Sequence, residues 1–226
     1  MNKQKCALIL VCRYPRGGSI KTRLAKTIGE RRTKILYEAF LRDILLWADD
    51  SDEFDLLISL ADGRHRIAFS EDFSVPLENI YPQPKGDFGD RLFWSLEMAF
   101  ERGYHRAAVA ASDAPELSHD KVVAAFIRLD DHDISIIPAP DGGYSLLALK
   151  EPIDLFHGVT WSTSLVLEET LKIARTGNWR VTQLPPVADI DHANDLEHLR
   201  GLLEKSAELR IHLPNTTRQL LGANHF

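Results

Sequence analysis

KCALILVCRYPRGGSIKTRLA, residues 5–25, is the stretch that decides the fold. Its first eight residues, 5–12, are short, apolar and ended by Arg13 and Pro15, which is the pattern of a buried strand. The loop that follows, from Arg13 to Arg23, carries four cations (Arg13, Arg16, Lys21 and Arg23) and the pair Gly17-Gly18. A glycine pair lets backbone amides approach an anion, and the cations offset phosphate charge. A helix opening near Lys21 would add its N-terminal dipole. GGSIKT is not a Walker A loop, because Ile20 stands where a glycine must precede the lysine. A strand running into a basic glycine loop suits phosphate binding in an α/β protein, and a solvated surface loop is the plainer alternative.

Outward from that stretch, strands and helices alternate. A helix is expected from about residue 30, where Ile35, Leu36, Ala39, Phe40 and Ile44 keep helical spacing. A strand follows at 54–60, then a helix at 88–102 closed by Gly103. A buried strand at 107–111 ends in Ser112-Asp113. Ser118 can cap the next helix, which carries Val122, Val123, Phe126 and Ile127. Residues 134–139 form a strand whose Pro138 suggests an edge or an irregular end. A strand at 144–149 follows an Asp-Gly-Gly turn. Ser162 or Thr163 starts a helix, 180–184 is the last strand and 194–204 the last clear helix. Such alternation predicts an α/β fold, a mostly parallel central sheet with helices on both faces. We read 1–226 as one domain with a core at about 5–204 and a C-terminal tail at 205–226. Ligands in such folds bind outside the carboxyl ends of the strands.

Composition narrows the function. The chain has 226 residues, 44% of them hydrophobic, a net charge of −6 and a pI near 5.8. That balance argues against nucleic acid or an anionic membrane as partner. The start, MNKQKCALILVC, is basic then apolar, but its apolar run is too short for a signal peptide or membrane span. Cys6 and Cys12 share a strand face about 20 Å apart at ~3.3 Å per residue, too far for a disulfide. Both read as small apolar core residues in a cytoplasmic protein. The nine histidines lack zinc-ligand spacing. No Gly-x-Ser-x-Gly elbow and no Gly-x-Gly-x-x-Gly fingerprint is present. His192, beside an acidic pair, reads as a surface residue. Oligomeric state is not legible.

Four loops carry the chemistry, and a fifth segment joins them. The first loop offers Arg13, Gly17, Gly18, Lys21 and Arg23 to phosphate. The second is Ser112-Asp113-Ala114-Pro115, where an aspartate at a strand end can ligate Mg2+ or Mn2+, or merely cap the turn. Asp189 and Asp191 alternate on an extended segment, so both carboxylates point one way and suit a divalent ion; an N-cap is the alternative, although Asn194 could serve that end. Asp141, Gly142, Gly143 and Tyr144 read first as a hairpin turn and second as close backbone approach to a substrate. Trp161, Ser162 and Thr163 read first as an aromatic anchor and helix cap, and second as a substrate loop.

The order of these motifs is recognisable. RYPRGGSIKTRLA, QPKGDFGDRL, SDAPEL, PAPDGGYSLLAL, GVTWST and DIDHANDL, across residues 8–199, resemble the bacterial radical-SAM/selenodomain-associated transferases, predicted glycosyltransferases of the GT-A-like nucleotide-diphospho-sugar transferase superfamily. The chain is more distantly similar to 2-phospho-L-lactate guanylyltransferase. The resemblance implies a GT-A-like three-layer sandwich. It implies Lys21 and Arg23, with Arg13 beside them, at the nucleotide phosphates, and Lys21 and Asp113 in catalysis. It further implies Asp113, Asp189 and Asp191 at Mg2+ or Mn2+, and residues 141–144 and 161–163 on the acceptor side. The family usually has glycine and threonine where this chain has Ala111-Ser112, serine where it has Ala114, and Thr-Pro-Glu-Asp where it has residues 192–195. The expected activity is metal-dependent nucleotidyl or glycosyl transfer from a nucleoside triphosphate or nucleotide sugar to an acceptor. The alternative is a catalytically impaired nucleotide-binding or regulatory protein that retains the fold.

Overall fold

The structure, a computed structural model, describes residues 5–222. The strands are β1 (Cys6–Cys12), β2 (Asp55–Leu60), β3 (Ile80–Pro82), β4 (Arg106–Ala111), β5 (Ile134–Pro138), β6 (Tyr144–Leu149) and β7 (Val181–Gln183). The helices are α1 (Thr22–Ile28), α2 (Glu30–Ala48), α3 (Arg66–Phe73), α4 (Phe88–Glu101), α5 (His119–Arg128), α6 (Val166–Thr176), α7 (Ala193–Lys205), α8 (Ala207–His212) and α9 (Pro214–Leu221). The strands form one sheet in the order β3-β2-β1-β4-β6-β5-β7. All run parallel except β6, which is antiparallel to both β4 and β5.

Side chains alternate across a strand, and here the alternation sorts the chain into three layers. Leu8 and Leu10 of β1, with Ile58, Ala108 and Ala110 of its neighbours, face one core that also holds Phe40, Phe69, Phe126, Leu199 and Leu220. Ala7, Ile9, Leu57 and Val109 face the other core, filled by Leu92, Leu96, Ala99 and Phe156. Thus α2, α3, α5, α7 and α9 cover one face, and α4 and α6 the other. Cys6 and Cys12 are both buried on the same face. Among the described residues no helix is long and apolar enough to cross a membrane.

Several local expectations are corrected. β5 is not an edge strand, because β7 pairs with its outer side. Pro138 instead marks a register shift beside Ile137, the irregular end its missing N–H requires. The helix after Trp161 starts at Val166, later than Ser162 or Thr163 would place it. Ser118 holds the cap position of α5 without a side-chain cap bond. Asn194 is not the cap of α7. There the Asp195 carboxylate reaches back to the N–H groups of Asp191 and His192 at 3.0 and 2.7 Å.

Residues 206–222 are largely helical and firmly attached. Pro214 opens α9, where its missing N–H costs nothing. Asp43, fully buried on α2, accepts bonds from the backbone N–H groups of Asn215 and Thr216, each at 2.8 Å. A carboxylate from a different helix therefore caps α9 where its dipole favours negative charge.

Candidate active site

The ends of β1 and β4 open at the same side because the strands are parallel neighbours. A cleft of about 860 Å³ lies there, lined by residues from every loop that carries the candidate chemistry. Reversal of β6 brings the turn at Asp141–Gly143 to this same side. The segment before α7 is led in by three bonds: Val187 N–H to the Pro138 carbonyl at 2.9 Å, the Ser145 hydroxyl to the Val187 carbonyl at 2.6 Å, and Ile190 N–H to the Asp113 carbonyl at 3.0 Å. That last bond sets Asp189 and Asp191 directly beside Asp113.

Lys21 joins the two acidic loops. It stands just ahead of α1 in the left-handed region, with φ 47°. Its ammonium pairs with Asp113 and, at 2.5 Å, with Asp191. Burial alone would lower the lysine pKa, but the two carboxylates hold it above the ordinary value. Arg23 reaches the other oxygen of Asp191 at 3.4 Å. Burial works to raise the Asp191 pKa, and Lys21 and Arg23 outweigh it, so Asp191 stays below the usual range. Among the described residues Asp189 has no such ion pair. Burial, then the charges of Asp113 and Asp141, push it up to about 6.

The basic loop divides. Ile20 is buried in the core, which explains an isoleucine where a phosphate loop would have glycine. Gly17 is needed for packing: a Cβ there would meet the His65 ring at 2.7 Å. Neither Gly17 nor Gly18 lines the cleft. Arg16 turns away to Asp72 and Glu38, at 3.0 and 3.5 Å. Arg13 does line the cleft, and its backbone N–H donates to the Tyr37 hydroxyl at 3.1 Å. Tyr37 in turn shares a 2.8 Å hydrogen bond with Ser112, tying the ends of β1 and β4 together through α2.

The other wall is a latch between two loops. The Asp141 carboxylate accepts from Gly143 N–H at 2.9 Å, so the turn is the hairpin its sequence suggests. Gly142 has φ 94°, and a Cβ there would lie 2.2 Å from the Ser164 carbonyl oxygen. Its own carbonyl accepts from Leu167 N–H at 2.8 Å. The Tyr144 ring lines the cleft, but its hydroxyl is buried beside Thr170 and does not face a substrate. Trp161 stacks on Phe156 with 6.3 Å between ring centroids and meets Phe88 edge-on at 4.9 Å. Thr163 bonds the Thr160 carbonyl at 2.7 Å, shaping the loop, and Ser162 takes a left-handed φ of 65°. His192 is exposed, as expected of a surface residue.

Arg91, Gln83 and Phe88 also line the cleft and were not singled out from the sequence. Their only signal was the element QPKGDFGDRL, whose Asp87 and Asp90 form a capping box that sets α4 against the site.

The donor chemistry at Asp113 and Asp189 suits a hard divalent ion: carboxylate oxygens, partly buried, with more negative than positive charge around them. Among the described residues no three His, Cys, Asp or Glu side chains gather as a complete ligand set. A small ion that keeps waters and takes phosphate oxygens needs only one or two carboxylates.

A central sheet of this order, with one reversed strand and a cleft at its carboxyl edge, defines the fold of nucleotide-diphospho-sugar transferases. A candidate nucleotide-diphospho-sugar transferase from Desulfovibrio desulfuricans G20 superposes with a TM-score of 0.84 at 28% identity, over 97% of each chain. The chain belongs to the family DUF2064, described as an uncharacterized protein conserved in bacteria, whose model matches residues 47–163. A 4-diphosphocytidyl-2C-methyl-D-erythritol synthase from Anaerococcus prevotii shares the fold at 10% identity, with a TM-score of 0.61 over 90% of this chain and 97% of that one. So does a CMP:2-keto-3-deoxy-manno-octonic acid synthetase complexed with CTP, at 13% identity and a TM-score of 0.51, over 89% and 99%. No curated protein matches the sequence.

Proposed function

We propose that the protein is a metal-dependent nucleotidyl- or glycosyltransferase that uses a nucleoside triphosphate or nucleotide sugar. The observation that carries this reading is Lys21 held between Asp113 and Asp191, with Asp189 beside them outside any ion pair. Asp113 and Asp189 would hold Mg2+ or Mn2+, with Asp191 shared between that ion and Lys21. Such an ion supplies charge neutralisation at phosphate oxygens as the bond to the leaving group breaks. Lys21, Arg13 and Arg23 bind the phosphates. On that binding, Lys21 exchanges a carboxylate for a phosphate oxygen and keeps its proton, as its raised pKa favours. Asp141 and the Trp161–Thr163 loop receive the acceptor, whose oxygen attacks directly, so no covalent protein nucleophile is required.

Attack at the α-phosphorus releases pyrophosphate; attack at the anomeric carbon releases a nucleoside diphosphate. The synthase and synthetase of the same fold support nucleotide chemistry. The resemblance to the radical-SAM/selenodomain-associated transferases, and more distantly to 2-phospho-L-lactate guanylyltransferase, points the same way and to a cytoplasmic enzyme.

A thermal-shift panel of nucleotides and nucleotide sugars, with and without Mg2+ or Mn2+, tests the reading, since a ligand that binds only the native state raises its midpoint. A metal-dependent shift that disappears in Asp113→Ala is expected. If no nucleotide shifts the protein under any metal condition, the reading is wrong. Binding with neither metal dependence nor turnover would favour an impaired, regulatory protein instead.

A further inference from the structure

The cleft has two electrostatic halves. Around Lys21 and Arg23 stand Asp113, Asp141, Asp189 and Asp191, so acid is in excess. On the β1–α4 side the balance reverses. Arg13 and Arg91 both face the cleft, and neither makes an ion pair with a carboxylate among the described residues.

Arg91 is nonetheless held in place. It donates to the Gln83 side-chain oxygen at 3.2 Å and to the Asp87 carbonyl at 3.1 Å, and its guanidinium lies 5.5 Å from the centre of the Phe88 ring. Phe88 is itself wedged edge-on against Trp161. The atoms that hold it are uncharged, and the Asp87 carboxylate, whose charge reaches it, makes no ion pair with it. The Arg13 guanidinium hydrogen-bonds no described residue, and its backbone is fixed by Tyr37. Burial, and then the nearby Arg13 charge, hold the Arg91 pKa below its usual value. The Arg13 charge acts on Arg91, the Asp87 charge offsets it only in part, and like charges that face one cleft raise the energy of the empty protein. A bound oxyanion removes that cost, and preoriented forks match its geometry.

We propose that Arg13 works with Arg91 rather than beside Lys21 and Arg23, the two arginines forming a separate oxyanion subsite that receives a phosphate group of the ligand. It adds Arg91 on α4 as a binding residue. The subsite rests on the nucleotide reading only for where the phosphate comes from.

Inorganic pyrophosphate, titrated calorimetrically into the full chain in EDTA, tests the subsite without metal or nucleotide. Saturable binding is expected, weakened ~tenfold or more in both Arg13→Gln and Arg91→Gln, as for loss of a charge-assisted fork. Arg16→Gln, in the same loop but paired to Asp72 and Glu38 outside the cleft, leaves the affinity within about twofold. Arg91→Gln could loosen the start of α4; Arg13→Gln, which removes no side-chain hydrogen bond, guards against that. Nucleotide titrations then give the source. Nucleotide affinity that falls together with pyrophosphate affinity assigns the subsite to the donor; nucleotide affinity that survives assigns it to an anionic acceptor. Absence of wild-type binding up to about 10 mM pyrophosphate, or unchanged binding in either variant, overturns the proposal. A nucleotide panel that fails while pyrophosphate still depends on both arginines would sink the transferase reading and leave the subsite standing.

Discussion

Gly142 shows how little freedom a single residue has at this site. Its φ of 94° already disfavours a side chain, and the Ser164 carbonyl fills the space where a Cβ would go. Gly142→Ala is expected to cost at least about 2 kcal/mol of stability, from strain and displaced backbone together. Denaturant unfolding measures it, and a loss under about 0.5 kcal/mol would show that the two loops are not latched. Asp189 behaves oppositely. Its folded-state pKa, raised to about 6, means that ionisation opposes folding once the pH passes the ordinary aspartate value of about 3.9. Asp189→Asn should therefore stabilise the ligand-free protein at pH 8, give little gain at pH 4, and weaken any Mg2+-dependent nucleotide shift. Equal effects of the substitution on stability at the two pH values would contradict this. Most of these residues could be singled out from the sequence, because acids and glycines at strand ends stand where ligands bind in such folds, although caps and hairpin turns use the same pattern. Arg91 could not, since its meaning comes from facing Arg13 across the fold. Nor could the pairing of Arg16, whose carboxylates lie on α2 and α3 and in no local pattern.

At the scale of elements, the long periodic strands and helices were legible, and only some of the short ones. The helix α1, opening at Thr22 beside Lys21, and the three-residue β7 were read, whereas the three-residue β3 and the helix α3 were not. Of the two readings Pro138 allowed for β5, an edge or an irregular end, the second holds, its missing donor being absorbed by a register shift. The edge strand on that side is β7, and it is held electrostatically. Asp133, 8% exposed, accepts from the Arg180 backbone N–H at 2.8 Å and pairs with the Arg180 guanidinium and Lys150. The Arg180 hydrogen bond most of all, and despite burial, holds its pKa well below the ordinary carboxylate range. Its contribution is then present above about pH 4 and lost as the pH falls toward the lower folded-state value. Asp133→Asn should lower the midpoint at pH 7 and flatten the decline of stability below pH 4. A variant with the wild-type acid limb would rule this out.

The tail beyond 210 was unreadable for a different reason. α9 is anchored through space by Asp43, which bonds Asn215 and Thr216 across sequence separations of 172 and 173 residues. Asp43→Ala is expected to cost about 2 kcal/mol or more, since it strips the cap from α9 and leaves buried N–H groups unpaired. Hydrogen exchange of that variant should show α9 opening far more readily than α2. Unchanged protection of residues 215–221 would refute the anchoring role.

At the scale of the whole molecule, one reversed strand organises the site. Because β6 runs against its neighbours, the β5–β6 turn lies beside the ends of β1 and β4, and residues 150–165 must return across the α4 face to deliver Trp161. The alternation of strands and helices announced the layers, and Asp141-Gly142-Gly143, read first as a hairpin turn, announced the reversal, which the apolar pattern of β6 alone does not show. The packing of the last helix has a consequence for how the protein is made. Asp43 sits on the same helix as Tyr37, which ties together the two strand ends that frame the cleft. Until residue 216 has left the ribosome, that helix carries a carboxylate without the amides that satisfy it on burial. The first strand and its basic loop are therefore synthesised well before the amides that complete the cleft they frame.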